Sequence, residues 1–545
     1  MSKLSTAAKE KTSEARYEKL KPVTNFMGGT SFNLSPLETL KLVAASSIFA
    51  EPAYYRDGEF KKSRIVILNE RFAPFSVFSK EMYSSKSTTD VMISAIRNAL
   101  DHDFGATLQF AVELRQDYFM RLNPQVILVE AAKHEKRAEW TDKNPGLFNK
   151  YAQLIMSRAD EPASQLSYWL YMNDGSISKI PNILKKAWAN KLSSLNSYAV
   201  NKYKNAESGM INVVRVSHAH SAVLDELMKT GTVSVTEDNL TWENLRSEGK
   251  SWVEILATIR LGHMALLRNL RNIFTEKIGL DLAKSIVEEL KEGVLKGKQF
   301  PFRYYSAYQA ISSDTKVNHK GLILDTLEEC IDISLANMPK LKGKTLVLSD
   351  NSGSAWGALN SEYGTVKVAE IGNLSALIFG ANSTEGFVGV FGDGLEVIPV
   401  SKRNGILTQL KEINAKGKTV GAGTENGIWL AFKDAIEQKQ HWDNIIVFSD
   451  MQAGHGGLYG IEKRDYMPYT INGGRYIDVN LLVQDYRRKV NPKLNMFSVQ
   501  TAGYDNSIMP EYGYRSANLA GWTGKELVFA DKLIATWDQI EKKQD

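Results

Sequence analysis

A chain of 545 residues, 43% hydrophobic and 24% charged, has an ordinary soluble composition and the length for two or more domains with sizeable cores. No apolar run reaches the roughly 18 residues a membrane span needs, and MSKLSTAAKEKTSEARYEKL lacks the apolar core of a signal peptide. The single cysteine, Cys330, excludes an internal disulfide framework and fits a reducing compartment, so the expected home is the cytoplasm. Net charge is +5 but uneven: residues 1–340 carry 45 basic and 39 acidic side chains, the remainder 22 and 23. A polyanion-binding surface is therefore expected on the N-terminal part.

Residues 1–21 are rich in Lys, Glu and Ser and read as a mobile arm. A loop with paired glycines, NFMGGTSFN, follows. Ser35-Pro36-Leu37-Glu38 is a capping box with proline at the first helical position, and Leu37, Leu40, Ala44 and Ile48 share one face. From there to about Asn337 the pattern is helix after helix. Met92, Ala95, Ile96, Ala99 and Leu100 fit helical spacing, as do Trp252, Ile255, Leu256 and Ile259. Breaks are expected at Pro74, Pro124, Pro145, Pro162, Pro181 and Pro301. Paired helices over some 300 residues predict an all-α, HEAT-like solenoid across 22–340. Its long surface suits an extended ligand.

Two windows in this part contain no acidic residue. Gly175 to Ala206 holds six lysines, among them Lys185, Lys186, Lys202 and Lys204, interleaved with Trp188, Tyr198 and Tyr203. Arg215, His218 and His220 follow in VVRVSHAH. Lysines supply phosphate contacts and aromatics can stack on unpaired bases. The plainer alternative is a solvated face neutralised by neighbouring helices. Ile255 to Thr275 carries Arg260, His263, Arg268 and Arg271, the last two sharing a helix face. The histidines have neither the cysteines nor the spacing of a zinc site.

After Pro339 the pattern changes. Short apolar strands at 345–349, 387–391, 444–449 and 494–499 alternate with helical stretches near 365–380, 404–414, 425–438 and 479–489. That predicts an α/β domain over 341–545 with a largely parallel sheet. Residues 454–474 look like an inserted loop. TLVLSDNSGS reads as a strand buried on both faces that ends on Asp350, Ser352 and Ser354. NIIVFSD is a second such strand, ending on Asp450, and a glycine turn, VGAGT, precedes it. Oxygen ligands without His or Cys favour a divalent cation such as Mg²⁺ over zinc. Asp350-Asn351-Ser352-Gly353 can also be a plain turn with Asx chemistry.

Asp-x-Ser-x-Ser, a Gly-Thr turn and a strand-end Asp, in that order, resemble the metal-ion-dependent adhesion site of von Willebrand factor A domains. The resemblance implies hydroxyl ligands from Ser352, Ser354 and Thr424 and carboxylates from Asp350 and Asp450. It leaves one coordination position for an acidic partner. The helical part resembles the TROVE module, and the whole chain resembles the Ro ribonucleoprotein autoantigen and its bacterial relatives. The stretches that carry the likeness are NFMGGTSFNLSPLETLKLV, NKYKNAESGMINVVRVSHAH, TWENLRSEGKSWVEILATIRLGHMALLRNLRN and QFPFRYYSAYQA, with the A-domain signature after them.

The resemblance implies a monomeric ring of helices closed by the A domain, with a small structured, Y-like RNA on the outer surface. It also implies single-stranded 3′ ends of misfolded RNA in the central hole, and an exoribonuclease or other protein as a further partner. Lys202 and His218 match positions tied to outer-surface binding, Lys204 and Arg215 lie in the same segment, and Arg268 falls in the helix assigned to the hole. Two departures stand out: Ala206 where the family can have a basic residue, and Glu425 where it shows Asp.

Two other functions compete. One is a metal-dependent module that recruits an acidic protein. The other is a phosphatase with Asp350 as nucleophile, but the position two residues on is Ser352, which cannot serve as a general acid. No phosphate-binding Gly-x-x-x-x-Gly-Lys-Ser/Thr loop is present either. The reading is therefore a binding protein, not an enzyme.

Overall fold

The computed structural model describes residues 22–24, 30–33, 35–45, 88–117, 120–205, 209–358, 367–423, 425–449, 463–470, 477–501, 506–509, 515–520 and 526–542. The expected arm (1–21), Ile48 and Pro74 lie outside them.

Helices follow one another from Pro36–Ala45 to Lys320–Ser334. The prolines read as breaks are mostly helix starts. Pro124, Pro162 and Pro301 occupy the first turns of Asn123–Lys133, Glu161–Met172 and Pro301–Ser312, where a missing N–H costs nothing and the fixed φ is already helical. Side-chain caps do the same elsewhere: the Asp103 carboxylate accepts from the Ala106 amide at 2.8 Å and starts Phe104–Gln116. The predicted inward faces are inward. Leu40, Ala44, Ala95, Ile96, Ala99 and Leu100 are buried, as are Trp252 and Ile255. Ile259 instead caps the helix Trp252–Thr258 in an extended conformation.

The helical part has two apolar cores. One runs from Leu40 to Val233; the other starts at Leu245 and continues into the α/β sheet. Hydrogen bonds join them at the seam. Asn201 Nδ2 donates to the Asn239 carbonyl at 2.9 Å and to Asn244 Oδ1 at 2.8 Å.

Strand β3 (Leu341–Asp350) opens the α/β part. The six-stranded sheet runs β5-β4-β3-β6-β7-β9, with β4 (Ser383–Phe391), β5 (Leu395–Pro399), β6 (Asn444–Ser449), β7 (Asn495–Gln500) and β9 (Ser516–Ala520). All pairings are parallel except β4 with β5. Leu346, Leu348, Ile445 and Val447 face one core, and Val347, Ile446 and Phe448 the other. Both faces are covered, which is why these strands read as unbroken apolar runs. The order reverses between β3 and β6, so the crevice at their carboxyl ends is the switch point where ligands sit in such sheets.

The helical array begins and ends on this domain. A hairpin of β1 (Pro22–Thr24) and β2 (Thr30–Asn33) extends into β8 (Asn506–Ser507), with Phe32 paired to Ser507. At the other end, Asp332 on the last long helix accepts from the Ile406 amide at 3.0 Å and caps the helix Ile406–Gly417. The two attachments close the solenoid into a ring through the α/β domain.

Candidate metal centre and basic surface

Asp350 ends β3 and is 5% exposed; Ser352 is 1% exposed. Neighbouring β6 brings the Ser449 hydroxyl to Asp350 Oδ2 at 2.7 Å. Asp350 Oδ1 accepts from the Ser352 amide at 2.9 Å, the Asx bond of the plainer alternative. In the same loop Ser352 Oγ and Ser354 Oγ are hydrogen-bonded to each other, 3.0 Å apart. Adjacent ligands of an octahedral Mg²⁺ at about 2.1 Å are separated by about 3 Å, so the two hydroxyls fit a shared hard cation. The buried Asp350 carboxylate would supply its charge.

The glycine turn is drawn to the same place. The Gly353 amide donates to the Ala422 carbonyl at 2.8 Å. Asp393, on the loop after β4, accepts from the amides of Ala422 at 3.0 Å and Gly423 at 2.9 Å. Gly421 has φ +92°, and a Cβ there would meet the Asp393 carboxylate at 2.2 Å. Thr424 and Asp450 lie outside the described residues, so the structure brings together three of the five expected ligands. Sequence reasoning missed Asp393; its signal was a single acid in the turn Gly392-Asp393-Gly394.

The loop also has an amide lattice beneath it. Asn351, not itself a ligand position, is 1% exposed and bonds Asn373, which bonds Asn414 at 2.8 Å. At the rim, Lys418 Nζ stands 5.0 Å over the Trp356 ring. Among the described residues no group of three or more His, Cys, Asp or Glu forms a metal cluster, as an Asp-and-hydroxyl site requires none.

The basic window folds into the helices Asn182–Ser193 and Ser197–Tyr203, and Arg215 ends Met210–Ser217. Lys186, Arg215 and His218 are exposed; Lys185, Lys202 and Lys204 are half-buried. His218 caps its helix in the left-handed region, φ 58°, donating its amide to the Val214 carbonyl. Lys204 Nζ bonds Asn201 Oδ1 at 3.0 Å and Thr232 Oγ1 at 3.1 Å. Lys202 lies over Tyr198. Among the described residues, none of the six window lysines, nor Arg215, forms an ion pair with a carboxylate. Nearby cations do: Arg158 grips Asp160 with 2.8 and 2.9 Å bonds, and Arg115 reaches Glu161 at 2.8 Å.

One part of the window reading needs correction. Trp188 is 0% exposed and donates to Gln165 Oε1 at 2.6 Å, so it is core rather than a stacking surface. The second window divides. Arg260 pairs with Glu289 at 2.7 Å and Arg271 with Asp314 at 3.9 Å; Arg268 and Arg271 both lie on the exposed side of the helix His263–Thr275. His263 is taken up by Tyr304, 2.7 Å from its Nε2.

A ring of helices joined to a doubly wound, von Willebrand factor A-like domain is the class of protein this architecture defines. The TROVE domain model matches residues 226–327, which include Arg268 and Arg271 and begin after the lysine window. Among solved structures the chain is similar to the Ro protein (RSR) of Deinococcus radiodurans. The TM-score is 0.55 at 13% identity, over 80% of this chain and 93% of that one. Among curated protein sequences none matches. The TROVE reading is thus met by a family model over 226–327, and the expected architecture by a fold shared with a Ro protein.

Proposed function

We propose that the chain is a Ro-type RNA-binding protein that serves as a scaffold or quality-control component. The observation that carries this is the run of six lysines that, among the described residues, form no ion pair with a carboxylate. Nearby arginines are paired with acids, Arg158 with Asp160 and Arg115 with Glu161, so the lysine face concentrates positive charge that suits a polyanion. Lys185, Lys186, Lys202, Lys204, Arg215 and His218 form the proposed site for a small structured, Y-like RNA. Arg268 and Arg271 are the proposed contacts for a single-stranded end in the ring.

The decisive experiment is to purify the protein from its own cells and sequence the RNA that accompanies it, beside a Lys202/Lys204/His218→Ala variant. A discrete small RNA is expected with wild type and not with the variant. Wild type without RNA above background overturns the proposal.

The 3.0 Å spacing of Ser352 Oγ and Ser354 Oγ favours a second role for the A-like domain. Asp350, Ser352 and Ser354, with Thr424 and Asp450, would hold Mg²⁺, and the bound ion would present a Lewis-acidic position to a carboxylate of a protein partner, an exoribonuclease among the candidates. Salt-sensitive RNA retention and Mg²⁺-sensitive protein retention separate the two roles. A cytoplasmic setting goes with both.

A further inference from the structure

We propose that Tyr198 is a base-stacking contact that makes one end of the basic surface selective for unpaired nucleotides. The inference rests on the RNA-binding reading and adds to it a discrimination that lysines alone do not provide.

Three aromatic side chains punctuate the acid-free window, and the structure gives them different fates. Trp188 is in the core. Tyr203 is half-buried, and the Arg158 guanidinium, itself fixed on Asp160, lies 5.1 Å from its ring centroid. Tyr198 is 40% exposed. The helix Ser197–Tyr203 sets this outcome. Asn196 caps it by accepting from the Ala199 amide at 2.9 Å, and Val200 and Asn201 point inward at 0% and 4% exposure. Tyr198 and Lys202, one turn apart, are thereby carried on the outward side.

Lys202 Nζ sits 5.6 Å from the Tyr198 centroid and 3.4 Å from its hydroxyl. The ammonium restrains the ring at little cost, and no described carboxylate competes for it. An exposed aromatic face beside an unneutralised cation matches one nucleotide: the base stacks on the ring and its phosphate meets the ammonium. A duplex keeps its bases stacked on one another and offers Lys202 only phosphates. The ring therefore distinguishes strands by their unpaired bases, whatever the sequence, because every base has a π face.

The test is fluorescence anisotropy with a labelled single-stranded RNA and a labelled hairpin duplex of equal length, between about 50 and 300 mM salt. Wild type is compared with Tyr198→Phe, Tyr198→Leu and Lys202→Gln, after circular dichroism shows all four folded. Tyr198→Phe keeps single-strand affinity within about twofold, since the ring remains. Tyr198→Leu loses about 5- to 100-fold on the single strand, with the salt slope unchanged and the duplex affinity within about twofold. Lys202→Gln lowers the salt slope by about one on both RNAs. Single-strand binding unchanged in Tyr198→Leu, or an equal loss on the duplex, overturns this inference and leaves the RNA-binding reading standing. Wild type that binds neither RNA overturns both.

Discussion

The side-chain amides of Asn351 and Asn373 exchange two hydrogen bonds, each 2.9 Å long. Asn351 follows Asp350 on the metal-site loop, and Asn373 lies on the helix Val368–Ala381. Asn373 Nδ2 also reaches Asn414 on the helix Ile406–Gly417, and a Cβ at Gly417 would meet Asn351 Oδ1 at 2.1 Å. The loop is thus clamped from below by two helices. Asn373→Leu leaves the Asn351 amide buried with half its partners gone. A loss of about 2–4 kcal/mol is expected in urea unfolding, from buried groups losing their bonds. Divalent-ion affinity, read by calorimetry, should fall in the same variant. Unchanged affinity in a destabilised protein would show that the loop keeps its shape without the clamp.

Asp350 gives the metal proposal its sharpest sign. The carboxylate is 5% exposed, accepts from Ser449 and Ser352, and would supply the charge that holds a divalent ion. Asp350→Asn removes that charge and keeps the side chain's size. Wild type should gain with added Mg²⁺ by mass action, and the variant should not. Thermal unfolding in EDTA and in Mg²⁺ distinguishes the four states. A Mg²⁺ response that survives Asp350→Asn places the ion elsewhere.

Much of this was legible in the residues. The strands ending at Asp350 and Ser449 announced themselves because their central residues, Leu346 to Leu348 and Ile445 to Phe448, are covered on both faces and are all Val, Ile, Leu or Phe. The edge strands β5 and β9 did not: Leu395–Pro399 is largely outside the core, and Ser516–Ala520 mixes small and polar residues, so neither carries a periodic signal. The hairpin β1–β2 escaped for a different reason. Its last partner, β8, lies more than 470 residues further along the chain, and no local pattern encodes a pairing of that range. Asp350, Ser352 and Ser354 were legible as chemistry, whereas Asn351, Asn373 and Asn414 were not, because an amide lattice exists only once three elements meet. Trp188 was misjudged because aromatic residues suit a core and a nucleotide surface equally well.

His263 predicts a pH dependence in the helical ring. Its Nε2 faces the Tyr304 hydroxyl, its buried Nδ1 finds no hydrogen-bond partner among the described residues, and the ring occupies a slot that Gly293 and Gly297 leave open. Burial holds its pKa below the ordinary histidine value. The neutral form is therefore the native one. The unfolded chain takes up a proton near pH 6.5 while the folded chain resists, so stability is full above that pH and falls as pH drops below it. With allowance for partial exposure the loss by pH 5.5 is at most about 1 kcal/mol. Urea unfolding at pH 7.5 and 5.5 should show a smaller drop for His263→Gln than for wild type. Equal drops would assign the dependence to other groups.

Two glycines make opposite predictions from one principle. In β4, a Cβ at Gly386 would stand 2.0 Å from the carbonyl oxygen of Gly380, in the helix Val368–Ala381. Both atoms in conflict belong to backbones fixed by the sheet and the helix, so neither can give way as a flexible side chain would. Gly386→Ala must push the C-terminal end of the helix off the amino end of β4, opposite Thr345, at a cost of about 3 kcal/mol or more. Gly321, in the first turn of Lys320–Ser334, has nothing within 4 Å of its added Cβ. There alanine removes unfolded-state freedom and suits the helix, so Gly321→Ala should stabilise by about 0.5 kcal/mol. Chemical unfolding of the two variants reads both effects. A Gly386→Ala protein as stable as wild type would mean that the helix and β4 are not packed backbone to backbone at this end of the sheet.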